Sequence, residues 1–370
     1  LLIGTGGTIG GHAAGRSKEE QKKAEDFAED SKEIINALAY KWGFEIKMDP
    51  VGIPDEDKPG EDLDVDSSDI LPKHWRALAE LIKEKYDDYE SFIITHGTNT
   101  LGYTCAALTF AIANSNKPII LTGSQVPFGD PGTDALTNLS NALRVAVWPR
   151  KDAQRIRGVL AVFGSHIITG CRVKKDTEFD YDAFKSFTVE SIGRIGRIIN
   201  INENSLAKHL KYLKQDAFPE ATGASTLEVD PDFDMNIASL TEFPGMNYQF
   251  FETLVEHKEV RGFVLRAFGA GDPSNHLRPA FEYLKGKGIP IVVTTQAPNG
   301  NSNFQVNDPG KYLRDNKLAI PAYDMSVEAQ TTKLAWLLAK RKKGLSYDQL
   351  CKDMITDIRG EINVMWEVGN

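Results

Sequence analysis

Short apolar runs bounded by glycine, proline or threonine alternate with amphipathic stretches through the first half of the chain. The runs Leu1 to Thr5, Phe92 to Thr95, Pro118 to Thr122 and Gly158 to Phe163 have the length and composition of buried strands. Between them, Trp75-x-x-Leu78-x-x-Leu81-Ile82 and Leu136-x-x-Leu139-x-x-Ala142-Leu143 place apolar residues three and four apart, which predicts helices with one buried face. Strand, helix, strand in succession predicts an α/β fold whose large N-terminal domain is a mostly parallel, doubly wound sheet.

The segment 202–234 is polar and mixed and carries Pro219, Gly223 and Pro231, so it reads as a linker between an N-terminal domain, 1–201, and a C-terminal one, 235–370. After it the alternation resumes. Ile237 to Thr241, Arg261 to Ala267 and Ile289 to Thr295 read as strands, and Val327 to Lys340 and Tyr347 to Arg359 as helices, the last stopped by Gly360. This predicts a smaller α/β domain. A chain of 370 residues exceeds what one core usually holds, so two domains fit the length as well. The stretch Ser17 to Glu33 mixes lysines with acids and reads as a helix with a solvated face.

A formal charge of −9 argues against nucleic acid as a general partner, because neutralising phosphates needs a basic face. The basic run Lys340-Arg-Lys-Lys343 ends a predicted helix, where cations favour the dipole. Three widely spaced cysteines, Cys105, Cys171 and Cys351, make neither a disulfide framework nor a zinc site, and point to a reducing compartment. The seven histidines form no HExxH or HxH spacing, so neither metal nor organic cofactor is expected. No apolar stretch is long enough for a bilayer and no signal peptide is evident, which suggests a cytoplasmic protein with no membrane partner. Leu1 already lies within a strand-like run, so an upstream segment is an open expectation.

Two hydroxyl-bearing glycine loops follow predicted strands: Gly4-Thr-Gly-Gly-Thr-Ile-Gly-Gly11 and His96-Gly97-Thr98-Asn99-Thr100. The ends of strands in open α/β sheets are where ligands bind, and two such loops suggest one shared site. Thr8 sits in a turn that gives a carbonyl close access, although glycine turns of this kind also serve packing or phosphate binding. Thr98 and Thr100 stand either at a site or as caps of the next helix. Ser67, Ser68 and Asp69 face the same alternative before Pro72, yet hydroxyls beside a carboxylate also suit a ligand with an α-amino and an α-carboxyl group. Lys175 follows a strand; a desolvated lysine exchanges protons with hydroxyls, whereas an ordinary surface lysine does not.

Taken in order, Thr5-Gly-Gly-Thr8-Ile, Asp66-Ser-Ser-Asp69, Thr95-His-Gly-Thr-Asn-Thr100 and Thr122-Gly-Ser-Gln125-x-Pro127 resemble the motifs of the bacterial-type L-asparaginases. Tyr86-Asp-Asp-Tyr89, Gly102 to Leu108, Asp324-Met-Ser-Val-Glu328 and Arg359-Gly-Glu361 are similar to the cytoplasmic type I branch. The resemblance spans nearly the whole chain. It implies a homodimer or homotetramer that hydrolyses L-asparagine to L-aspartate and ammonia without a cofactor. It implies Thr8 as acylating nucleophile, Thr98 as second threonine and Lys175 as catalytic lysine. It also implies a substrate pocket of Ser67, Ser68 and Asp69, with backbone amides around Gly97 and Thr98 as oxyanion hole.

The same resemblance marks departures. The family motif reads His-Gly-Thr-Asp-Thr, where this chain has Asn99; an asparagine keeps the shape but loses the charge that meets the substrate ammonium and orders the lysine. An altered or weakened enzyme, a substrate-trapping form and a non-catalytic amino-acid binder all remain open. Residues 11–31 lack the tyrosine of the family's lid. Asp272 stands in Phe268-Gly-Ala-Gly-Asp272 where relatives show asparagine, which predicts an acidic contact to a neighbouring subunit's substrate. Arg266 matches an arginine of the allosteric site in some type I relatives, but Ala297 and Lys174 do not match its other residues, so that allostery is not expected here. Two rival readings remain: an amidotransferase subunit acting with transfer RNA, and a dehydrogenase based on Thr5-Gly-x-x-x-Gly10 with Tyr181-x-x-x-Lys185, which leaves the Asp66 and His96 motifs unexplained.

Overall fold

The computed structural model describes residues 1–6, 24–43, 45–57, 60–148, 156–214 and 227–363. The chain divides into two units, Leu1–Ser186 with Glu190–Pro231, and Phe187–Val189 with Asp232–Asn370.

In the first unit the elements are β1 (Leu2–Gly4), α1 (Ala24–Asp30), α2 (Lys32–Trp42), β2 (Pro50–Gly52), α3 (Pro72–Glu84), β3 (Phe92–Thr95), α4 (Leu101–Ala111), β4 (Ile112–Ala113), β5 (Pro118–Thr122), α5 (Ala135–Ala146), β6 (Gly158–Phe163), β7 (His166–Thr169), β8 (Val173–Lys175), β9 (Phe184–Ser186), β10 (Gly193–Ile195), β11 (Ile199–Ile201), α6 (Glu203–Lys214) and β12 (Glu228–Val229). An eight-stranded sheet runs in the order β11-β10-β7-β6-β5-β3-β1-β2. From β2 to β6 every pairing is parallel; β7, β10 and β11 add an antiparallel edge. Parallel strands need covering on both faces, and the side chains of β3, β5 and β6 are buried throughout. Leu2, Ile93, Ile120, Leu160 and Val162 pack with Leu139, Ala142 and Leu143 of α5. Because side chains alternate along a strand, Ile94, Ile119, Leu121 and Ala161 point to the other face.

Several expected elements come out differently. The stretch read as a linker opens with α6, whose Leu206, Leu210 and Leu213 join the first unit's core; a polar composition hid three leucines at helical spacing. Residues 215–226, including Pro219 and Gly223, lie outside the described residues. Of the charged stretch 17–33, residues 17–23 lie outside as well, while Glu25, Asp26, Glu29 and Asp30 of α1 are exposed around a buried Phe27.

The second unit holds β13 (Ile237–Thr241), α7 (Gln249–Lys258), β14 (Gly262–Ala267), α8 (Arg278–Gly286), β15 (Ile291–Thr295), α9 (Asp308–Asp315), β16 (Ile320–Pro321), α10 (Val327–Lys342) and α11 (Tyr347–Ile355). Its four strands form one parallel sheet in sequence order. Phe251, Phe263, Leu265, Phe281, Leu284 and Val293 are among its core residues. The last helix ends at Ile355 rather than at Arg359, because Lys333 of α10 takes the carbonyls of Met354 and Thr356 and the chain turns away there. Gly360 instead serves a later turn, with φ +86° and its N–H on Asp357 Oδ1.

Candidate active site

β1, β3 and β5 end side by side. Gly4 is in register with Thr95, and Thr95 with Thr122. Thr5 fastens the first loop to the second strand: its N–H and hydroxyl both donate to Thr95 O, at 3.3 and 2.9 Å. The chain leaves these parallel strands at their carboxyl ends, the place where α/β sheets open a crevice. A Cβ on Gly123 would lie 2.2 Å from His96 O, so only glycine lets the third strand exit beside the pentapeptide. Gly6, at φ +82°, runs against Asp64 and Val65, which brings the start of the first glycine loop next to the Asp66–Asp69 segment. Thr8 itself lies outside the described residues.

His96 is fully buried and held by bonds at both ring nitrogens, Nδ1 to Gly97 O at 2.7 Å and Nε2 to Thr104 Oγ1 at 2.9 Å. Burial lowers its pKa to about 4, so the ring is neutral near pH 7. Since Gly97 O only accepts, Nδ1 carries the proton, and Nε2 accepts from the Thr104 hydroxyl. Trp75 of α3 donates to that hydroxyl at 3.1 Å, so the pentapeptide is tied through one histidine to two helices.

Ser67, Ser68 and Asp69 form a single 3₁₀ turn capped by Asp66, whose Oδ1 accepts from Ser68 N at 2.8 Å. They do not cap α3: its N-cap residue is Leu71, whose N–H goes to His74 Nδ1. Nor does Thr100 cap α4 with its side chain; its hydroxyl donates to Ser67 O at 2.5 Å. Asn99 completes the junction, its N–H donating to Ser67 Oγ at 3.2 Å and its Nδ2 to Ser68 Oγ at 3.0 Å. Ser67 and Thr98 are buried, while Ser68, Asp69 and Asn99 are exposed. Gly97, between His96 and Thr98, is buried.

Lys175, the last residue of β8, reaches back across the fold. Its Nζ donates to Thr98 Oγ1 at 2.9 Å, to Asn99 Oδ1 at 3.4 Å and to Glu178 Oε2 at 2.8 Å. The structure therefore brings Ser67, Ser68, Asp69, Gly97, Thr98, Asn99 and Lys175 into one cluster. A hydroxyl in contact with a lysine amine, beside a buried serine and backbone donors, is equipped for proton transfer and for holding an anion. Asp272 belongs to the second unit, in a tight turn bridged by Phe268, where its carboxylate accepts from Asn307 Nδ2 at 2.5 Å.

Sequence reasoning missed Glu178. A carboxylate three residues past a lysine is an ordinary loop spacing, and only the fold turns it toward the threonine. It also missed the His96–Thr104–Trp75 chain, which joins residues from three elements. The dehydrogenase pair dissolves: Tyr181 Oη donates to Gly132 O at 2.5 Å and Lys185 pairs with Asp176, so each is engaged away from the other. Among the described residues no cluster of histidine, cysteine and carboxylate is arranged for a metal, and no helix is long and apolar enough to cross a membrane.

Comparison with known proteins gives the family. Residues 1–207 match the family model "Asparaginase, N-terminal", and residues 236–350 match "Glutaminase/Asparaginase C-terminal domain". The chain is 33% identical over 305 residues to L-asparaginase 1 of Escherichia coli, covering 80% of this chain and 82% of that one. It is 30% identical to L-asparaginase of Thermococcus kodakarensis, covering 98% of both. Relatives also include a glutamyl-tRNA(Gln) amidotransferase component of Methanococcus maripaludis, 29% identical over 82% of this chain and 70% of that one. Among solved structures, the thermostable L-asparaginase of Thermococcus kodakarensis superposes with a TM-score of 0.77 over 99% of both chains at 28% identity. L-asparaginase I of Vibrio cholerae does so with a TM-score of 0.74 over 98% of both, also at 28%. With both domain models matched in order and the strand-end cluster in place, the chain belongs to the asparaginase family.

Proposed function

We propose that the chain hydrolyses the side-chain amide of L-asparagine to L-aspartate and ammonia through a threonine ester. The observation that carries this reading is the Lys175 amine 2.9 Å from the Thr98 hydroxyl at the end of β3. Thr8 attacks the carboxamide carbon, its proton passes to the departing nitrogen, and ammonia leaves. Water then adds to the β-aspartyl ester and gives a proton to Thr98 Oγ, which passes its own to Thr8 Oγ as the ester C–O bond breaks and aspartate leaves; the Lys175 ammonium aims the Thr98 hydroxyl. Backbone N–H groups around Gly97 and Thr98 stabilise the oxyanion, a contribution of about 3–4 kcal/mol per donor. Ser67, Ser68 and Asp69 hold the α-carboxylate and α-ammonium. The active form is a cytoplasmic homodimer or homotetramer in which Asp272 of a neighbouring copy supplies the carboxylate that Asn99 lacks.

The test is ammonia release from L-asparagine and L-glutamine by the chain and by Thr98→Val and Lys175→Met. Turnover of asparagine that falls at least about 100-fold in both variants supports the reading. One methylene is worth only about 1–3 kcal/mol, so some glutamine turnover is compatible with it. A second reading rests on Asn99, whose amide nitrogen rather than a carboxylate faces Ser68: calorimetry showing asparagine binding without ammonia release makes the chain an amino-acid binder and refutes hydrolysis.

A further inference from the structure

We infer that Glu178 is the carboxylate that positions Lys175: it holds the lysine ammonium against the Thr98 hydroxyl, a task for which residue 99 offers only a neutral oxygen. This rests on the hydrolytic reading of the Thr98–Lys175 pair and adds a residue to it.

An ammonium has three N–H donors, and Lys175 spends them on three oxygens. Asn99 Oδ1, at 3.4 Å, is at the outer edge of a hydrogen bond. Thr98 Oγ1 is close but uncharged. Glu178 Oε2, at 2.8 Å, is the one anionic partner of Lys175 among the described residues. The Asn99 amide is also oriented: its nitrogen donates to Ser68 Oγ, so its oxygen is the end turned to the lysine. No rotation of that amide can bring a charge.

Glu178 does not reach in from an untethered loop. Its carbonyl accepts from Gln125 Nε2 at 3.0 Å, and the backbone of Gln125 is bound at 3.0 Å by the buried Asp134. On either side, Asp176 N donates to Ala183 O at 2.8 Å and Phe179 N to Thr177 Oγ1 at 3.1 Å. The turn between β8 and β9 is thereby fixed to the loop after β5, which itself starts next to Thr95. The Lys175 side chain is 15% exposed and that of Glu178 68%, so the pair does little for stability. Its effect falls on the aim of the lysine.

The other charged groups of these elements do not take this place. Lys174 precedes Lys175 and is opposite Lys185 across the hairpin. Asp176 is paired with Lys185. Asp66 caps the 3₁₀ turn under Asn99, and Asp69 closes it. Removing the charge at 178 therefore frees the ammonium to leave the Thr98 hydroxyl, and a carboxylate at 99 holds it there from the other side.

The experiment combines ammonia release from L-asparagine with NMR of protein labelled with ¹³C,¹⁵N-lysine, the Lys175 signal identified by its loss in Lys175→Arg. The chain, Glu178→Gln, and the double variant Asn99→Asp with Glu178→Gln are compared at one pH. In Glu178→Gln the Lys175 Nζ and Cε signals move toward those of a solvated lysine, and kcat falls about tenfold or more while KM changes less than about threefold. The double variant regains most of the lost kcat. Lys175 signals unchanged in Glu178→Gln overturn the proposal, whatever happens to kcat, and so does a double variant that regains nothing where the chain itself is active. If no form releases ammonia, the hydrolytic reading fails by itself, while the Lys175 signals still decide whether Glu178 is the charge partner.

Discussion

Replacing Lys333 by methionine removes one side of a fully buried ion pair in the second unit, and the cost follows from what is left behind. Lys333 of α10 and Glu361 are both completely enclosed. The lysine donates to Glu361, to Met354 O at 3.0 Å and to Thr356 O at 2.6 Å. Methionine fills similar volume but leaves two carbonyls and a carboxylate without that donor. Breaking a buried pair from one side typically costs about 3–5 kcal/mol. Glu361 retains the N–H groups of Ile358 and Arg359, which places the expectation toward the lower figure.

The pH dependence sharpens the test. Burial alone pushes the Glu361 carboxyl up; the Lys333 charge and the two backbone donors outweigh it and hold the group below its ordinary range. In the chain as it stands, this stabilisation is present above the unfolded value of about 4.3 and is lost as pH falls through the lower folded value. In Lys333→Met, burial dominates, Glu361 takes up a proton more readily, and the penalty shrinks toward acid. Amide exchange of α10 and α11, read by mass spectrometry, reports it: about 3 kcal/mol accelerates exchange through opening roughly 150-fold at neutral pH. Adding Glu361→Gln recovers part of the loss, since no buried charge is then unpaired. A cost below about 1 kcal/mol at neutral pH, or one that grows as pH falls, refutes the reasoning.

Two further outcomes follow from buried groups in the first unit. His96 and His209 are both held to about 4 by burial, so an unfolded chain binds protons that the folded one refuses between about pH 6.5 and 4. Stability falls as pH drops through that window, by up to about 1.4 kcal/mol per pH unit per histidine; denaturation curves at stepped pH measure it, and a flat profile contradicts it. Gly123→Ala forces a Cβ against His96 O and costs about 1–3 kcal/mol, with turnover reduced because the displaced carbonyl carries Gly97 and Thr98 with it; unchanged melting and unchanged kcat would show that the strand ends yield freely.

What could be read along the chain was what local physics writes there. Phe92–Thr95, Pro118–Thr122 and Gly158–Phe163 begin and end as their apolar runs predict, because strands in a covered parallel sheet need apolar residues with little interruption. The mostly parallel α/β architecture followed from their alternation with helices. Asn99 stood out as a departure only because the surrounding motif was legible. The last helix was drawn too long and α6 was read as linker for one reason: a terminus or an exposed face is decided by partners elsewhere, as Lys333 and the first unit's core show.

The sequence by itself determined the central parallel strands, Phe92–Thr95, Pro118–Thr122 and Gly158–Phe163 among them, and the hydroxyls that follow them. Only the tertiary structure decided which residues meet them. Lys175 lies 77 positions from Thr98, and Ser67 lies 32 from Asn99. Periodicity carries no information over such separations; the parallel register of β1, β3 and β5 sets the strand ends side by side. The same folding turned Glu178 from a solvated loop acid into the anionic partner of the lysine, and cast Asn99 as a neutral neighbour. Hydrogen bonds and charge act through distance in space, which the chain acquires only when its sheet has formed.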